Sequence, residues 1–124
     1  MSKSDVELRL PAQSAYVSVL RMTTAGLAAR LDFTLDDIED LRIAVGEACA
    51  LLLEHASADG SITTTFVTEP GTMRLVVCVE TEGTAAVDRD NFGWQVLTAL
   101  VDDLAEDSVT GRTEIAFTVT SAKV

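Results

Sequence analysis

Hydrophobic positions along the chain switch between two periods. Val6, Leu8 and Leu10 alternate with charged residues, which predicts a strand that Pro11 stops. From about Ala12 to Leu31 the spacing turns helical, with Val17, Leu20, Thr24, Leu27 and Leu31 on one face. A short Asp32–Phe33 link follows. Thr34 with Asp37 three residues on has the form of a capping box and opens a second helix that runs to about Ala56. Its core stripe is Ile38, Leu41, Val45, Ala48 and Leu52. Asp59-Gly60 turns the chain into two strands, Ile62–Thr68 and Met73–Glu80, joined as a hairpin across Glu69-Pro70-Gly71-Thr72. A polar stretch containing Gly83 ends near Asn91. Trp94, Leu97, Val101 and Leu104 then mark a third helix. Val109 ends a short strand before the Thr110-Gly111 turn, and Ile115, Phe117 and Val119 alternate in a last strand.

The order is strand, helix, helix, strand, strand, helix, strand, strand. It predicts an α/β (α+β) two-layer sandwich: a mixed, mostly antiparallel sheet with three helices on one face. No repeat, low-complexity segment or linker interrupts the pattern, so residues 1–124 read as one domain. Hydrophobic residues are 48% of the chain. At this size about 65% of the unfolded surface can be buried, so a real core is available.

Charge changes the picture next. The formal net charge is −11, from 20 acidic and 9 basic side chains. That balance leaves no basic footprint for phosphate backbones, which argues against direct binding of nucleic acid. The longest apolar runs, Ala48–Leu53 and Leu75–Val79, fall far short of the ~20 residues that span a membrane. No apolar stretch follows the opening Met-Ser-Lys-Ser-Asp, so no signal peptide is expected and the setting reads as cytoplasmic. Cys49 and Cys78 sit among apolar neighbours and read as buried reduced thiols. One His and two Cys do not make a structural zinc site, and no metal site is expected.

The charge is also uneven. Residues 1–31 carry +2, from Lys3, Arg9, Arg21 and Arg30 against Asp5 and Glu7. Residues 32–57 carry −6 and residues 80–107 carry −7, with Arg89 the only base in the second tract. Asp36, Asp37, Glu39 and Asp40 fall in the first turns of a helix, where the dipole favours acids. The remainder is either plain solvation or a field that steers a basic protein partner.

Glu47-Ala48-Cys49-Ala50-Leu51-Leu52-Leu53-Glu54-His55-Ala56 on the second helix resembles the first ATP-site motif of the anti-sigma-factor serine kinases. These are small bacterial relatives of the gyrase and histidine-kinase ATPases, with a motif of the form E-A-C-x-N-A-x-x-H-A. Leu41–Val45 before it and Leu10-Pro11-Ala12 before the first helix fit the same resemblance. Asn91–Asp103 resembles the family's last motif, above all in its actinobacterial branch. The resemblance covers nearly the whole chain and implies a single histidine-kinase-like ATPase domain.

The departures bear on chemistry. The family's magnesium-chelating Asn is Leu51 here, about 40° from Glu47 on one helix face, and leucine offers no oxygen to a hard cation. The family's adenine-reading Asp is Thr81, with Gly83 retained, and threonine supplies no fixed anionic acceptor. Of the glycines that bring backbone amides to phosphates, Gly93 alone matches, between Phe92 and Trp94. Seven residues separate Gly83 from Asn91, a shortened ATP lid. Glu80, Glu82, Asp88 and Asp90 would repel a polyphosphate if they wall the pocket. Glu47 is either a general base, as the resemblance implies, or a helix carboxylate kept by descent. Without metal, phosphate cradle and lid a base alone transfers no phosphoryl group. Trp94 is a core anchor by default. With Leu51 it is alternatively a plug in a degenerate nucleotide pocket formed by Glu47, Leu51, Thr81, Gly83, Gly93 and Trp94. His55 reads as a satisfied histidine near a helix end.

On the first helix, Arg21 lies about 80° from the centre of the core stripe. By position it matches a family arginine that contacts the sigma factor and its competing antagonist; otherwise it is a surface Arg whose stem covers the core. Met22, Ala25, Gly26 and Ala29 lie opposite the core; small side chains there either let another backbone approach or form a plain alanine-rich surface. Arg21, Met22, Ala25 and Ala29 are therefore the candidate partner-binding residues. The expected function is an anti-sigma factor that sequesters an alternative sigma factor and yields it to an anti-anti-sigma antagonist, with no cofactor used. A second copy of the chain is a further candidate partner. The alternatives are an active serine-protein kinase, using ATP and magnesium with Glu47 catalytic, and a partner-binding domain unrelated to sigma factors.

Overall fold

The computed structural model describes residues 5–122. Lys3 and the residues around it that bear on the leader expectation lie outside the described residues. Strand β1 (Val6–Pro11) leads through a 3-10 turn at Ser14–Tyr16 into helix α1 (Val17–Ala29) and helix α2 (Leu35–Leu53). The hairpin β2 (Ser61–Glu69) and β3 (Thr72–Glu80) follows, then helix α3 (Phe92–Leu100) and the hairpin β4 (Asp102–Val109) and β5 (Arg112–Thr120). The strands lie in the order β1-β2-β3-β5-β4.

All four pairings are antiparallel, where the sequence pattern suggests a mixed, mostly antiparallel sheet. The connections explain the difference. Two helices between β1 and β2 bring the chain back in the opposite direction. The β3–α3–β4 crossover gives two strands of one direction, but β5 inserts between them, so no parallel pair are neighbours.

One face of the sheet carries Ile62, Phe66, Met73, Leu75, Val77, Val79, Ile115, Phe117 and Val119, all buried with the apolar faces of the helices in a single core. Val17, Leu20, Thr24 and Ala28 form the buried stripe of α1. On α2, Leu41, Ala44, Val45, Ala48, Cys49, Leu51 and Leu52 are buried, so this helix is apolar around half its circumference and lies between α1 and α3. Thr64, also inward, is fully buried and its Oγ1 has no hydrogen-bond partner among the described residues.

Local chemistry fixes the corners. Thr34 Oγ1 accepts from the Asp37 N–H at 3.1 Å, and Asp37 Oδ2 accepts from the Thr34 N–H at 3.0 Å, which closes the capping box at the start of α2. The same Oδ2 accepts from the Ala122 N–H at 3.1 Å and from Ser121 Oγ at 3.3 Å, and Ser121 Oγ also lies 3.0 Å from the Asp32 carbonyl. The last strand is thereby tied to the corner between α1 and α2. Asp32, at φ 64°, makes that corner in the left-handed region that aspartate tolerates better than most residues.

The third helix is shorter than its periodicity suggests. It stops at Leu100, Val101 is extended at φ −129° and Leu104 belongs to β4. Asp103 adopts φ 52° beside a register shift between Asp102 and Ala105, which breaks the helical path. The longer β4 then buries Leu104, Glu106 and Ser108 in part on alternate positions.

Candidate functional site

The middle of α2 brings several of the candidate residues together. Glu47 is half-buried and points across to the first turn of α3, where a Cβ on Gly93 would meet Glu47 Oε1 at 2.8 Å and Leu51 Cγ at 3.6 Å. Gly93 is thus a close approach between two helices. Asn91 caps α3, its Oδ1 accepting from the Gly93 N–H at 2.8 Å. The amide that a phosphate at this helix start would seek is already bonded to a side chain. Leu51 is 3% exposed and Trp94 is 7% exposed, both within the core. Phe92, one residue before Gly93, is 80% exposed.

Thr81 and Gly83 form a separate turn at the end of β3. Thr81 Oγ1 donates to the Gly83 carbonyl at 2.8 Å, and the Thr81 N–H donates to the Gly111 carbonyl at 3.0 Å. Gly83 adopts φ 73°, a conformation that favours glycine. The Thr81 hydroxyl therefore serves its own turn.

The segment 84–90, where the resemblance puts an ATP lid, is tied down on several sides. Glu106 Oε2 accepts from the Val87 N–H at 3.3 Å and from Ser108 Oγ, and Glu106 Oε1 pairs with Arg89 at 3.2 Å. Arg89 lies over the Trp94 ring, 5.2 Å from its centroid, a cation–π contact. Thr113 Oγ1 donates to the Ala85 carbonyl, and Val87 is buried. Burial alone would push the Glu106 carboxyl up. The bonds from Ser108, the Val87 N–H and Arg89 outweigh that and hold it below the usual carboxylate range. Sequence reading missed this tie, because Glu106 falls where the pattern suggests the end of a helix.

The four acids do not form one wall. Glu80 and Glu82 line a cavity of about 420 Å³ with Ser57, Asp59 and Gly111, and Glu80 Oε1 accepts from the Ser61 N–H at 2.8 Å. Asp88 instead accepts from the Asp90 N–H at 2.9 Å within the turn before α3.

The helix layer holds the second group. Met22 is 70% exposed and Gly26 and Ala29 are exposed, so these three point outward as the spacing suggests; Ala25, which the spacing also puts opposite the core, is half-buried, beside the buried stripe at Thr24 and Ala28. Arg21 is half-buried and leans across α2. A Cβ on Gly46 would fall 2.9 Å from Arg21 Nε and 3.0 Å from its Cζ, and closer still to Nη2. Arg21, Glu39, Arg42, Ile43 and Glu47 line a cavity of about 270 Å³ on one side of that contact. Ile43 is 43% exposed at its rim. Gly46, a glycine in mid-helix, was the available signal in the sequence, since it costs about 1 kcal/mol against alanine there.

Burial pushes the Cys49 thiol up to about 12, and the nearby Arg21 charge draws it part of the way back. Cys78, on the opposite face of the sheet, is raised first by burial, with Arg112 acting the other way. Both are free thiols, but only Cys49 is buried as expected; Cys78 is half-buried. His55 is half-buried at the end of α2. Among the described residues no group of three or more His, Cys, Asp or Glu is placed to hold a metal ion, and no helix is long and apolar enough to cross a membrane.

A five-stranded antiparallel sheet under three helices, with an acid on the central helix facing the start of the last, defines a histidine kinase-like ATPase domain. The chain belongs to that family, whose profile matches residues 10–119. Within it, the chain is similar to serine-protein kinase RsbW. It is 44% identical to RsbW of Bacillus cereus strain B4264 over 63 residues, 49% of this chain and 39% of that protein. It is 49% identical to RsbW of Halalkalibacterium halodurans over 55 residues, 44% of this chain and 34% of that protein. The matched region spans little more than a third of the length of these relatives. The crystal structure of the RsbU and RsbW domains of Rv1364c from Mycobacterium tuberculosis has the same fold, with a TM-score of 0.72 and 21% identity over 93% of this chain and 32% of that one.

Proposed function

We propose that the chain is an anti-sigma factor that sequesters an alternative sigma factor by direct contact, in the bacterial cytoplasm, and releases it to an anti-anti-sigma antagonist without using ATP. The observation that carries the reading is the packing of Leu51 and Gly93 against Glu47. Where the resemblance calls for a magnesium-binding amide, a buried leucine fills the space between α2 and α3. The residues present do not suit a magnesium nucleotide. Leu51 has no oxygen, the Thr81 hydroxyl is bonded within its own turn, the Gly93 amide is bonded to Asn91 and the 84–90 segment is fastened to β4 and β5. No phosphoryl-transfer step is derived for this chain.

The contact surface in this reading is the exposed side of α1 with the neighbouring part of α2. Arg21 and Arg42 supply cations there in a chain of net charge −11, and Met22, Ala25 and Ala29 allow close approach. Competition between sigma factor and antagonist for this one surface is the mechanism. The kinase reading retains one specific support, Glu47 lining a cavity in a chain similar to proteins named serine-protein kinases.

Affinity purification from the native cell, followed by mass spectrometry, tests the first reading: recovery of a sigma factor is expected, and repeated recovery without one would sink it. A melting curve with magnesium ATP tests the second. A site filled at one hundred times its Kd would stabilise the protein by ~2.7 kcal/mol. No shift is expected at millimolar nucleotide.

A further inference from the structure

We infer that Gly46 is a positioning residue: its missing side chain seats the Nε–Nη2 edge of the Arg21 guanidinium against α2, at the divide between two openings, and so sets where the free end of that cation meets a partner's carboxylate. The inference rests on the proposed role of Arg21 in partner binding.

Gly46 is buried in the middle of a 19-residue helix. Glycine weakens a helix interior relative to alanine, and Gly46 is not among the glycines at positive φ, so no turn requires it. What requires it is space. The position a Cβ would occupy is filled by the guanidinium of Arg21, with Nη2, Nε and Cζ all inside contact distance. These distances put that position close to the guanidinium plane, off its Nε–Nη2 edge, so the group meets the helix edge-on.

Arg21 faces open space on both sides of this seat. One side is the cavity with Glu39, Arg42, Ile43 and Glu47. The other is a groove of about 390 Å³ lined by Ser14, Ala15, Ser18, Gly46, Ala50 and Leu53. Among the described residues the ion pairs use Arg42, Arg89 and Arg112, and none of the hydrogen bonds or ion pairs involves the Arg21 guanidinium. The Nε–Nη2 edge is turned onto Gly46, and the Nη1 end is left to face a ligand. A guanidinium fork fixed in this way suits a carboxylate, which it can bind through two parallel hydrogen bonds. Fixing the fork beforehand reduces the side-chain entropy lost on binding.

The test compares Gly46→Ala, Gly46→Ser and Arg21→Ala with the wild-type chain by two readouts. The first is the Arg21 Nε–Hε signal in 15N-labelled protein, assigned by its loss in Arg21→Ala. It is expected to be distinct and ordered in the wild type, and to move to the position and mobility of a free arginine in both Gly46 variants. The second is affinity for the purified sigma factor recovered from the native cell, expected to fall about tenfold or more in Gly46→Ala and in Arg21→Ala. Both Gly46 variants are expected to melt no lower than the wild type, since the flexible end of Arg21 can yield and the helix gains propensity. An unchanged Arg21 signal in Gly46→Ala overturns the inference, as does unchanged affinity in Gly46→Ala beside weakened binding in Arg21→Ala. A Gly46→Ala chain that does not fold overturns it as well, because the reasoning requires the guanidinium to give way. If Arg21→Ala itself binds normally, the partner-contact reading falls instead, and the Arg21 signal alone decides whether Gly46 seats the guanidinium.

Discussion

Replacing Leu51 by asparagine restores the residue that a magnesium nucleotide would need, and it is expected to damage the protein rather than repair a site. Leu51 is 3% exposed, one turn after Glu47 and against Gly93 at the start of α3. Burying a leucine contributes about 1.5–3 kcal/mol, most of which is lost when the branched carbons go. The amide that replaces them enters an apolar wall, at a further cost of about 1–3 kcal/mol unless it finds partners. Glu47 offers one acceptor on the same helix face, which returns about 1 kcal/mol. The expected loss is therefore about 2–4 kcal/mol, a large part of the ~5–15 kcal/mol that holds a domain of this kind together. Urea unfolding followed by the fluorescence of Trp94, the only tryptophan, measures it directly. The midpoint should drop while the denaturant slope stays constant. Magnesium ATP at millimolar concentration should leave both midpoints where they are. A change within about 0.5 kcal/mol, or a variant that nucleotide stabilises, would refute the view that this space is a packed core.

Three further outcomes are expected. Thr64→Val should stabilise the chain by about 1 kcal/mol in the same assay, because it removes a buried hydroxyl that has no partner while keeping the side chain's shape; a loss of stability would show that the hydroxyl has work to do. Glu106→Ala should release the 84–90 segment, seen as faster amide exchange at Val87 and its neighbours with the strands still protected, and unchanged exchange there would contradict the tie described above. Asp37→Ala should cost about 1–2 kcal/mol at pH 7. The Asp37 carboxyl is held below its ordinary value, first by the Thr34 N–H and against the effect of burial, with help from the Ala122 N–H and the hydroxyls of Thr34 and Ser121. Between the folded and unfolded values only the unfolded chain carries the proton. The contribution is thus complete above the unfolded value of ~3.9 and disappears as pH falls through the folded one. The gap between wild type and variant should narrow as pH falls below the unfolded value, and a gap that stays constant there would rule out this assignment.

Much of the fold could be read from periodicity because most elements have one wet face and one dry face. The capping box at Thr34 and Asp37 and the hairpin across Pro70-Gly71 stand as the residues suggest. The α3–β4 boundary was illegible for a physical reason. Val101 and Leu104 fit a helical repeat after Leu97, while the inward positions of β4 continue as Glu106 and Ser108, so no apolar alternation marks the strand. Of the site, the replacement of the expected amide by Leu51 and the outward face around Met22 could be seen in the sequence. The seat of Arg21 could not, although Arg21 lies at the edge of its buried face as its spacing suggests. Where its guanidinium ends depends on how α1 crosses α2, and a lone glycine on the second helix does not name the residue that uses its space. The reach of Glu106 to Val87 and Arg89 depends likewise on strand order, which no local pattern encodes.

The knot of bonds at the corner between α1 and α2 has a consequence for how the protein is made. Asp37 and Asp32 stand at the first third of the chain, and their partners Ser121 and Ala122 are synthesised some 85 residues later. β5 lies between β3 and β4, so the sheet too is incomplete until the final strand is inserted. A nascent chain on the ribosome can form its helices and first hairpin, but it cannot close this corner or fill the gap in the sheet. Addition at about 5–20 residues per second leaves that partly built layer exposed for seconds. Completion of the fold is therefore coupled to the end of synthesis of this domain, and the half-made sheet is the stage at which a chaperone has most to protect.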